Sequence, residues 1–355
     1  MGLLVAGAGR VAHVQAPTSF ASRIAQLSES GGYFDTDNLI SNEKSYLHVI
    51  PALRNAGLVG GAYLGVGPDQ NFSYIAQLRP SIAFIIDIRR DNLLLHLLFK
   101  VLFQLSETRV EYLSLLFGRP VPIGPEEWRL ASIDRLAAYI DSAAASSPEG
   151  TGALRTRVHA AIKDFGVGLS ADDFSTIDRF HRTFIAAGLG LRFEAFGREP
   201  RSYFPTYREL LLETDRGGRQ WNFLVSEDDF QFVRSMQQRD LVIPVVGNLS
   251  GPSALAAIGR MMEERGDRLS AFYASNIEFY LFGDGTFPKF VDNVSHLPHS
   301  SRSLIIRSVF AGGPFSRLQA VPGYASASIV QGVDELLRGY SRGRFRTYRE
   351  LIDGP

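Results

Sequence analysis

The chain has 355 residues, of which 45% are hydrophobic and 21% are charged, and its 37 basic side chains balance its 37 acidic ones. This composition excludes a disordered chain or a fibre, and the balanced charge gives no overall field that would attract nucleic acid. Cysteine is absent, which excludes disulfides and thiol nucleophiles, and the longest apolar run, at 93–105, is interrupted by polar residues. We therefore expect a soluble globular protein with no membrane span.

Residues 1–36 are expected to form an N-terminal segment that is open to processing. Within it, residues 2–17 are small and apolar like the end of a secretory signal, although no basic region precedes them. We expect a cytoplasmic protein, with export as the alternative if this stretch is a signal remnant. Gly7 and Gly9 formally fit a dinucleotide fingerprint, but the strand before them is too short and Pro17 would end the following helix early.

The stretch at 33–38, together with Asn42 and Glu43, is both acidic and aromatic. One interpretation is that it closes over a ligand and supplies a general base. The other is a capped helix start, with Ser41 and Lys44 following. The sequence leaves both interpretations open.

A regular alternation of strands and helices begins at residue 60. A buried strand within 60–67 leads into a glycine turn and a helix over 70–78. A continuous apolar run at 82–88 follows, of the kind found in strands covered on both faces, and 90–104 is helical. This series predicts a parallel sheet with helices on both faces.

The alternation resumes far downstream, with strands at 241–246, 269–274 and 303–309 and a helix over 252–265. Pro244 cannot donate a hydrogen bond to a neighbouring strand, which places the third strand at a sheet edge. The doubly wound order 3-2-1-4-5 has its third strand at an edge. We therefore predict an α/β fold with a doubly wound, mostly parallel, Rossmann-like sheet.

The residues between the second and third strands are helical in propensity and are broken by short runs rich in Pro, Gly and Ser. We predict that 108–220 form a helical insertion that roofs the ligand site. The Rossmann-like α/β domain then comprises 37–107 and 221–355.

Ligands of open parallel sheets bind outside the carboxyl ends of the strands, where the strand order reverses. Gly65 and Gly67 follow the first strand, and Asp87 closes the second at the spacing of a residue that accepts ribose hydroxyls. The ends of the third and fourth strands contribute Asn248, Tyr273, Ser275 and Asn276. The alternative is a purely structural role. The glycines then form a plain turn, Asp87 caps the helix that follows it, and Ser275 with Asn276 caps the next one. We expect the ligand-binding interpretation, with a small molecule as the ligand.

These strand ends resemble class I S-adenosylmethionine-dependent methyltransferases: Gly65-x-Gly67, Asp87, Gly247-Asn248 and Ser275-Asn276. The resemblance covers about 60–107 and 221–310. The stretches YLGVGPDQNFSYIA and IIDIRRDNLLLHLLFK also resemble a group of uncharacterised bacterial proteins with this fold.

The resemblance implies a methyltransferase-type sheet, S-adenosylmethionine as the cofactor, and a role for each strand end. The glycine turn passes under the methionine part, the acid holds the ribose, and the residue after the third strand contacts adenine. The cofactor-binding residues so implied are Gly65, Gly67, Asp69, Asp87, Ile88 and Asn248. The residues implied to face the reacting atoms are Tyr273, Ser275 and Asn276.

The chain departs from the family's pattern at two positions. Tyr63 stands where an acidic residue is usual, and Asp69 stands where a third glycine is usual. A carboxylate at Asp69 would repel the methionine carboxylate unless it faces the amino group instead.

We therefore expect a methyltransferase-like protein with an unknown acceptor and no metal. The alternative is a non-catalytic binding protein on the same scaffold, which the departures at Tyr63 and Asp69 favour. A nicotinamide-dependent oxidoreductase is the least favoured alternative.

Overall fold

The fold was analysed in a computed structural model that describes residues 19–36, 38–196, 201–310 and 321–353. Its centre is one six-stranded sheet with the order β3-β2-β1-β4-β5-β6. The strands are β1 (Ala62–Val66), β2 (Ile82–Asp87), β3 (Val242–Val246), β4 (Leu269–Ser275), β5 (Leu304–Phe310) and β6 (Ser326–Gly332). The first five run parallel, and β6 runs antiparallel to β5. The fold is therefore α/β with a mostly parallel sheet, as the sequence predicts.

The described residues form fifteen α-helices and three short 3-10 helices. The α-helices are α1 (Phe20–Leu27), α2 (Ile50–Asn55), α3 (Gln70–Leu78), α4 (Arg90–Leu105), α5 (Arg109–Leu116), α6 (Ile133–Ser142), α7 (Pro148–Asp164), α8 (Ala171–Ala187), α9 (Tyr207–Leu212), α10 (Glu227–Gln238), α11 (Ala254–Arg265), α12 (Ile277–Gly283), α13 (Phe287–Ser295), α14 (Val333–Ser341) and α15 (Tyr348–Asp353). The 3-10 helices are Lys44–Val49, Pro125–Trp128 and Gly188–Gly190. Within these described ranges, none of the helices has the length and apolar character needed to span a bilayer.

The order of the first five strands confirms the prediction. Every residue of β1 and all but the last of β2 are buried, so both faces of these strands are covered. Pro244 is in register with Ile85 of β2, and β3 has no strand on its other side. The missing N–H is tolerated there because only one side of β3 is paired in the sheet.

The sixth strand was not predicted, because its sequence has no apolar run. Its inward side chains include serines: Ser326 and Ser328 lie 3.0 and 3.2 Å, oxygen to oxygen, from the Ser45 hydroxyl. This buried hydroxyl cluster joins β6 to the 3-10 helix at Lys44–Val49. Hydrogen bonding among hydroxyls here replaces the alternating apolar pattern that would reveal a strand in the sequence.

The stretch from 108 to 220 contributes helices α5 to α9 between β2 and β3. Its start is fastened by Arg109, whose buried guanidinium donates to the carbonyls of Leu224 and Val225 at 2.8 Å and of Ala131 at 2.8 Å. That this stretch forms a separate inserted unit stays a prediction.

The beginning of the described chain packs on the sheet. Phe20, Ile24 and Leu27 of α1 are buried, and α1 contacts β3 and α11. Gly7, Gly9 and the apolar stretch 2–17 lie outside the described residues, and processing of 1–36 stays a prediction.

Candidate functional site

A cavity of about 590 Å³ lies at the carboxyl ends of the parallel strands, where the order reverses between β1 and β4. Its walls come from the turns after β1 to β4, from residues within 33–36 and 38–43, and from residues within 193–195 and 201–204. Seven of the nine site residues implied by the resemblance line it: Gly67, Asp87, Ile88, Asn248, Tyr273, Ser275 and Asn276. Residues of the helical stretch 108–220 therefore form part of the wall.

The turn after β1 is held rigidly from inside the protein. Gly67 has a φ of +81°, which a glycine adopts without strain. The side-chain amide of Asn71 donates to the carbonyls of Val66 at 2.9 Å and Pro68 at 2.8 Å. His96 Nε2 lies 2.9 Å from the Gly67 carbonyl oxygen. The turn therefore presents a fixed backbone surface to the cavity.

His96 was not expected to contact this turn, since its only sequence signal is one polar position in the apolar helix α4. Burial lowers the pKa of His96 to about 4, so the ring is neutral at pH 7. Because a carbonyl only accepts hydrogen bonds, Nε2 carries the proton and donates it to Gly67. The other ring nitrogen, Nδ1, is buried and has no partner among the described residues.

The structure does not bring Gly65 or Asp69 to the cavity. A Cβ at Gly65 would lie 2.0 Å from Asn71 Oδ1, so this glycine is needed for packing inside the protein. The Asp69 carboxylate is buried and accepts a hydrogen bond of 2.8 Å from the hydroxyl of Tyr207. Burial raises its pKa to about 6. Since Asp69 faces away from the cavity, it does not repel an anionic group bound there.

Asp87 lines the cavity but already has a partner. Oδ1 accepts from the backbone N–H of Arg89 at 2.9 Å and from Nε at 3.0 Å, and Oδ2 accepts from Nη2 at 2.7 Å. Arg89 Nη1 also donates to the Thr36 carbonyl at 2.9 Å, which fastens the stretch 33–36 to the end of β2. One acceptor position on Oδ2 is left for a ligand.

The loop after β3 is ordered by Glu29, which the sequence analysis did not single out. Glu29 Oε1 accepts from the backbone N–H of Asn248 at 2.8 Å, and Oε2 accepts from that of Ala254 at 3.1 Å at the start of α11. The Asn248 side-chain oxygen accepts from the Ser250 N–H at 2.9 Å. Its amide nitrogen has no hydrogen-bond partner in the described part of the chain and can donate to a ligand.

The end of β4 turns sharply at the cavity. Ser275 has a φ of 55°, an uncommon conformation for a residue with a side chain, and the pairing of β4 with β5 is irregular at this point. Asn276 occupies the N-cap position of α12, but its side chain makes no capping hydrogen bond. The capping interpretation therefore explains the position of Asn276 and not its side chain, which lines the cavity.

Glu43 is the buried carboxylate of the cavity wall. It accepts hydrogen bonds from the hydroxyls of Tyr273 and Ser275 of β4 and of Ser308 of β5. Burial raises its pKa. It precedes the 3-10 helix at Lys44–Val49, and its side chain makes no capping bond. The sequence included Glu43 in an acidic stretch, but its three partners are distant in sequence. Asp37 of the same stretch lies outside the described residues.

The mouth of the cavity is aromatic. Three ring side chains that line it are unusually exposed: Tyr33 at 79%, Phe279 at 46% and Tyr203 at 41%. Phe34 and Tyr280, which also line the cavity, pack edge to face with ring centroids 5.0 Å apart. Exposed aromatic rings at the mouth of a cavity are typical of sites that contact a flat or apolar ligand.

Residues 38–119 and 190–336 match the model of a family described as a domain of unknown function, DUF7790. The matched ranges include the glycine turn, Glu43, Asp87 and the end of β4, and they leave out 120–189. No curated protein matches the chain. Because the match covers more than half of its length, the chain belongs to the DUF7790 family.

Proposed function

We propose that the protein is an S-adenosylmethionine-dependent methyltransferase on a methyltransferase-type sheet, and that its cofactor lies in the cavity between β1 and β4. One observation carries this proposal: four strand-end turns converge on a single cavity at the reversal of strand order. Crevices at this place are where open α/β sheets bind nucleotide-like ligands. The cavity volume of about 590 Å³ is in the range of small-molecule sites.

The residues of the cavity fit the cofactor's chemistry. Gly67 allows close approach of a ligand to the backbone, and Asp87 has one acceptor position for a ribose hydroxyl. Ile88 offers an apolar surface, and the Asn248 amide nitrogen can donate to an adenine ring nitrogen. S-adenosylmethionine supplies a methyl group bound to a positively charged sulfur. A protein that uses this methyl donor is expected in the cytoplasm.

The acceptor side of the proposed site is formed by Tyr273, Ser275 and Asn276. Methyl transfer in line requires the protein to hold the acceptor atom against the methyl group, and no nucleophilic side chain is needed. The strained backbone at Ser275 supports this role, since strained residues are frequent at functional sites.

A second candidate is a binding protein without catalysis. The observation that favours it is the ion pair of Asp87 and Arg89, which occupies most of the carboxylate that would hold the ribose. On this alternative, the cavity binds a small molecule and the ion pair is a permanent part of the wall.

Titration calorimetry with S-adenosylmethionine, S-adenosylhomocysteine and NAD tests the proposal. We expect the two sulfur compounds to bind at one site per chain and NAD not to bind there. Absence of binding by both sulfur compounds would refute the methyltransferase proposal. Binding of NAD alone would favour a nicotinamide enzyme instead.

A further inference from the structure

The inner wall of the cavity contains a buried carboxylate and a buried amide oxygen that lack matching partners. We propose that Glu43 and Gln70 form a subsite for a protonated primary amine of the ligand. The inference deepens the proposed function and rests on it only for the identity of the molecule that carries the amine.

The first observation is the environment of Glu43. Its residue exposure is 1%, and its hydrogen-bond donors are the three hydroxyls of Tyr273, Ser275 and Ser308. Hydroxyls are neutral, and no Lys, Arg or His of the described residues forms an ion pair with Glu43. Buried carboxylates are normally paired with a cation. Glu43 has no such partner, which agrees with its raised pKa, and a cationic ligand would supply the missing charge and stabilise the ionised carboxylate.

The second observation is the orientation of Gln70, which lines the same wall and is 7% exposed. Because the Tyr273 hydroxyl donates its hydrogen bond to Glu43, the tyrosine oxygen can only accept a further one, and it accepts from the Gln70 side-chain N–H at 3.4 Å. The amide oxygen, Oε1, then points elsewhere. It is buried and has no hydrogen-bond partner among the described residues.

Together these groups specify the chemistry of the missing partner. The free position on Glu43 Oε1 and the free Gln70 Oε1 are both acceptors, so the partner must bring donors. A primary ammonium group has three donors, no acceptor and the positive charge that Glu43 lacks. Water would supply donors without the charge. A divalent metal ion would need more oxygen ligands than one carboxylate and one amide provide.

Two kinds of molecule can carry the amine into this subsite. One is the methionine part of the proposed cofactor, and the other is an amine-bearing methyl acceptor.

The test compares adenosine ligands with and without the amine by calorimetry of the full chain. S-adenosylhomocysteine carries an amine and a carboxylate, its decarboxylated analogue carries the amine alone, and 5′-methylthioadenosine carries neither. Phenethylamine tests an amine that has no nucleoside. The variants are Glu43→Gln and Gln70→Met. The matched control is Glu213→Gln, a buried glutamate that also accepts from a tyrosine, Tyr324 at 2.8 Å, and does not line the cavity.

We expect Glu43→Gln to weaken the binding of both amine-bearing nucleosides by about 10-fold to 100-fold, and the binding of methylthioadenosine by less than about 2-fold. Gln70→Met should weaken the same two ligands by about 5-fold to 10-fold. The control should change none of them. Thermal unfolding of each variant establishes that it is folded, and Gln70→Met carries the test alone if Glu43→Gln does not fold.

The remaining outcomes separate this inference from the proposed function. If no nucleoside binds but phenethylamine binds and depends on Glu43, the amine subsite stands and the cofactor proposal fails. If the nucleosides bind but the variants weaken all of them equally, or weaken none, the subsite is refuted and the cofactor proposal stands. If the wild-type protein binds none of the four probes, both fail.

Discussion

The guanidinium of Arg89 holds both carboxylate oxygens of Asp87, with Nε 3.0 Å from Oδ1 and Nη2 2.7 Å from Oδ2. Both side chains are nearly buried, at 7% and 10% exposure. Arg89 extends the link to the carbonyl of Thr36. The residue proposed to hold the ribose is therefore also a structural connection between the end of β2 and the segment above it.

Asp87→Ala should weaken S-adenosylhomocysteine binding by about 10-fold to 150-fold, since hydrogen bonds to a charged group contribute about 1.5–3 kcal/mol. Calorimetry measures the change. The control is Asp91→Ala, because Asp91 is half-exposed, pairs with Arg179 at 3.5 Å and does not line the cavity. Unchanged affinity in the Asp87 variant would remove this residue from the site.

Arg89→Met tests whether the ion pair competes with the ligand. If Arg89 competes with ribose for Asp87, its removal should strengthen S-adenosylhomocysteine binding by about 5-fold, roughly one neutral hydrogen bond. If Arg89 instead binds an anionic group of the ligand, the same variant should weaken binding. Weaker binding would contradict the competition argument and favour a phosphate-bearing ligand.

The interaction of His96 with the glycine turn should depend on pH. The pKa of His96 is lowered from 6.5 to about 4, so the folded state resists protonation of this ring. The stabilisation that the neutral His96 ring contributes to the folded state is complete above pH 6.5 and is lost as the pH falls through 4. The loss amounts to about 3 kcal/mol.

Urea unfolding of wild type and His96→Gln at pH 7, 5.5 and 4 measures this effect. Glutamine keeps a donor for the Gly67 carbonyl and does not titrate. The wild type should lose stability relative to the variant as the pH falls. A difference that is the same at all three pH values would contradict the assignment.

Asp69 should have the opposite pH dependence. Its pKa is raised from 3.8 to about 6, so the folded state favours the protonated acid. The stabilisation that protonated Asp69 contributes to the folded state is complete below pH 3.8 and is lost as the pH rises through 6. The loss amounts to about 3 kcal/mol. Asp69→Asn retains an acceptor for Tyr207 and should gain stability relative to wild type between pH 4 and 7. Asp228→Asn, which changes an exposed carboxylate, is the matched control.

Limited proteolysis tests the domain organisation predicted for 108–220. The loop between α6 and α7, at 143–147, and the first turn of α7 are mostly exposed, so we expect the first cut between Ser146 and Gly150. The turn at 215–218 should be cut later, because the Gly218 N–H donates to the Asp215 carbonyl at 3.0 Å. Early cleavage inside β2 or β3 would contradict the prediction, and mass spectrometry of the fragments locates each cut.

The sequence was sufficient for the strand order because apolar runs and Pro244 are local signals of burial and of a sheet edge. The sequence was also sufficient to predict that Gly67, Asp87, Asn248 and Ser275 lie close together, because parallel topology places the carboxyl ends of strands at one edge. It was not sufficient for β6, whose burial depends on hydroxyls that pair across more than 280 positions with Ser45.

The partners of the site residues could not be predicted, because they are set by tertiary contacts. The sequence gives no sign that Asp69 turns inward to Tyr207 or that His96 meets Gly67. Glu43 could be noticed only as one member of an acidic stretch. Its three hydroxyl partners come from two strands that follow more than 220 residues later.

A crystal structure of the protein with S-adenosylhomocysteine tests the proposed cofactor site. We expect ligand in the cavity between β1 and β4, with a ribose hydroxyl within about 3.2 Å of an Asp87 oxygen and the adenine beside Ile88 and Asn248. A ligand bound elsewhere, or one in the cavity whose ribose makes no contact with Asp87, would contradict it.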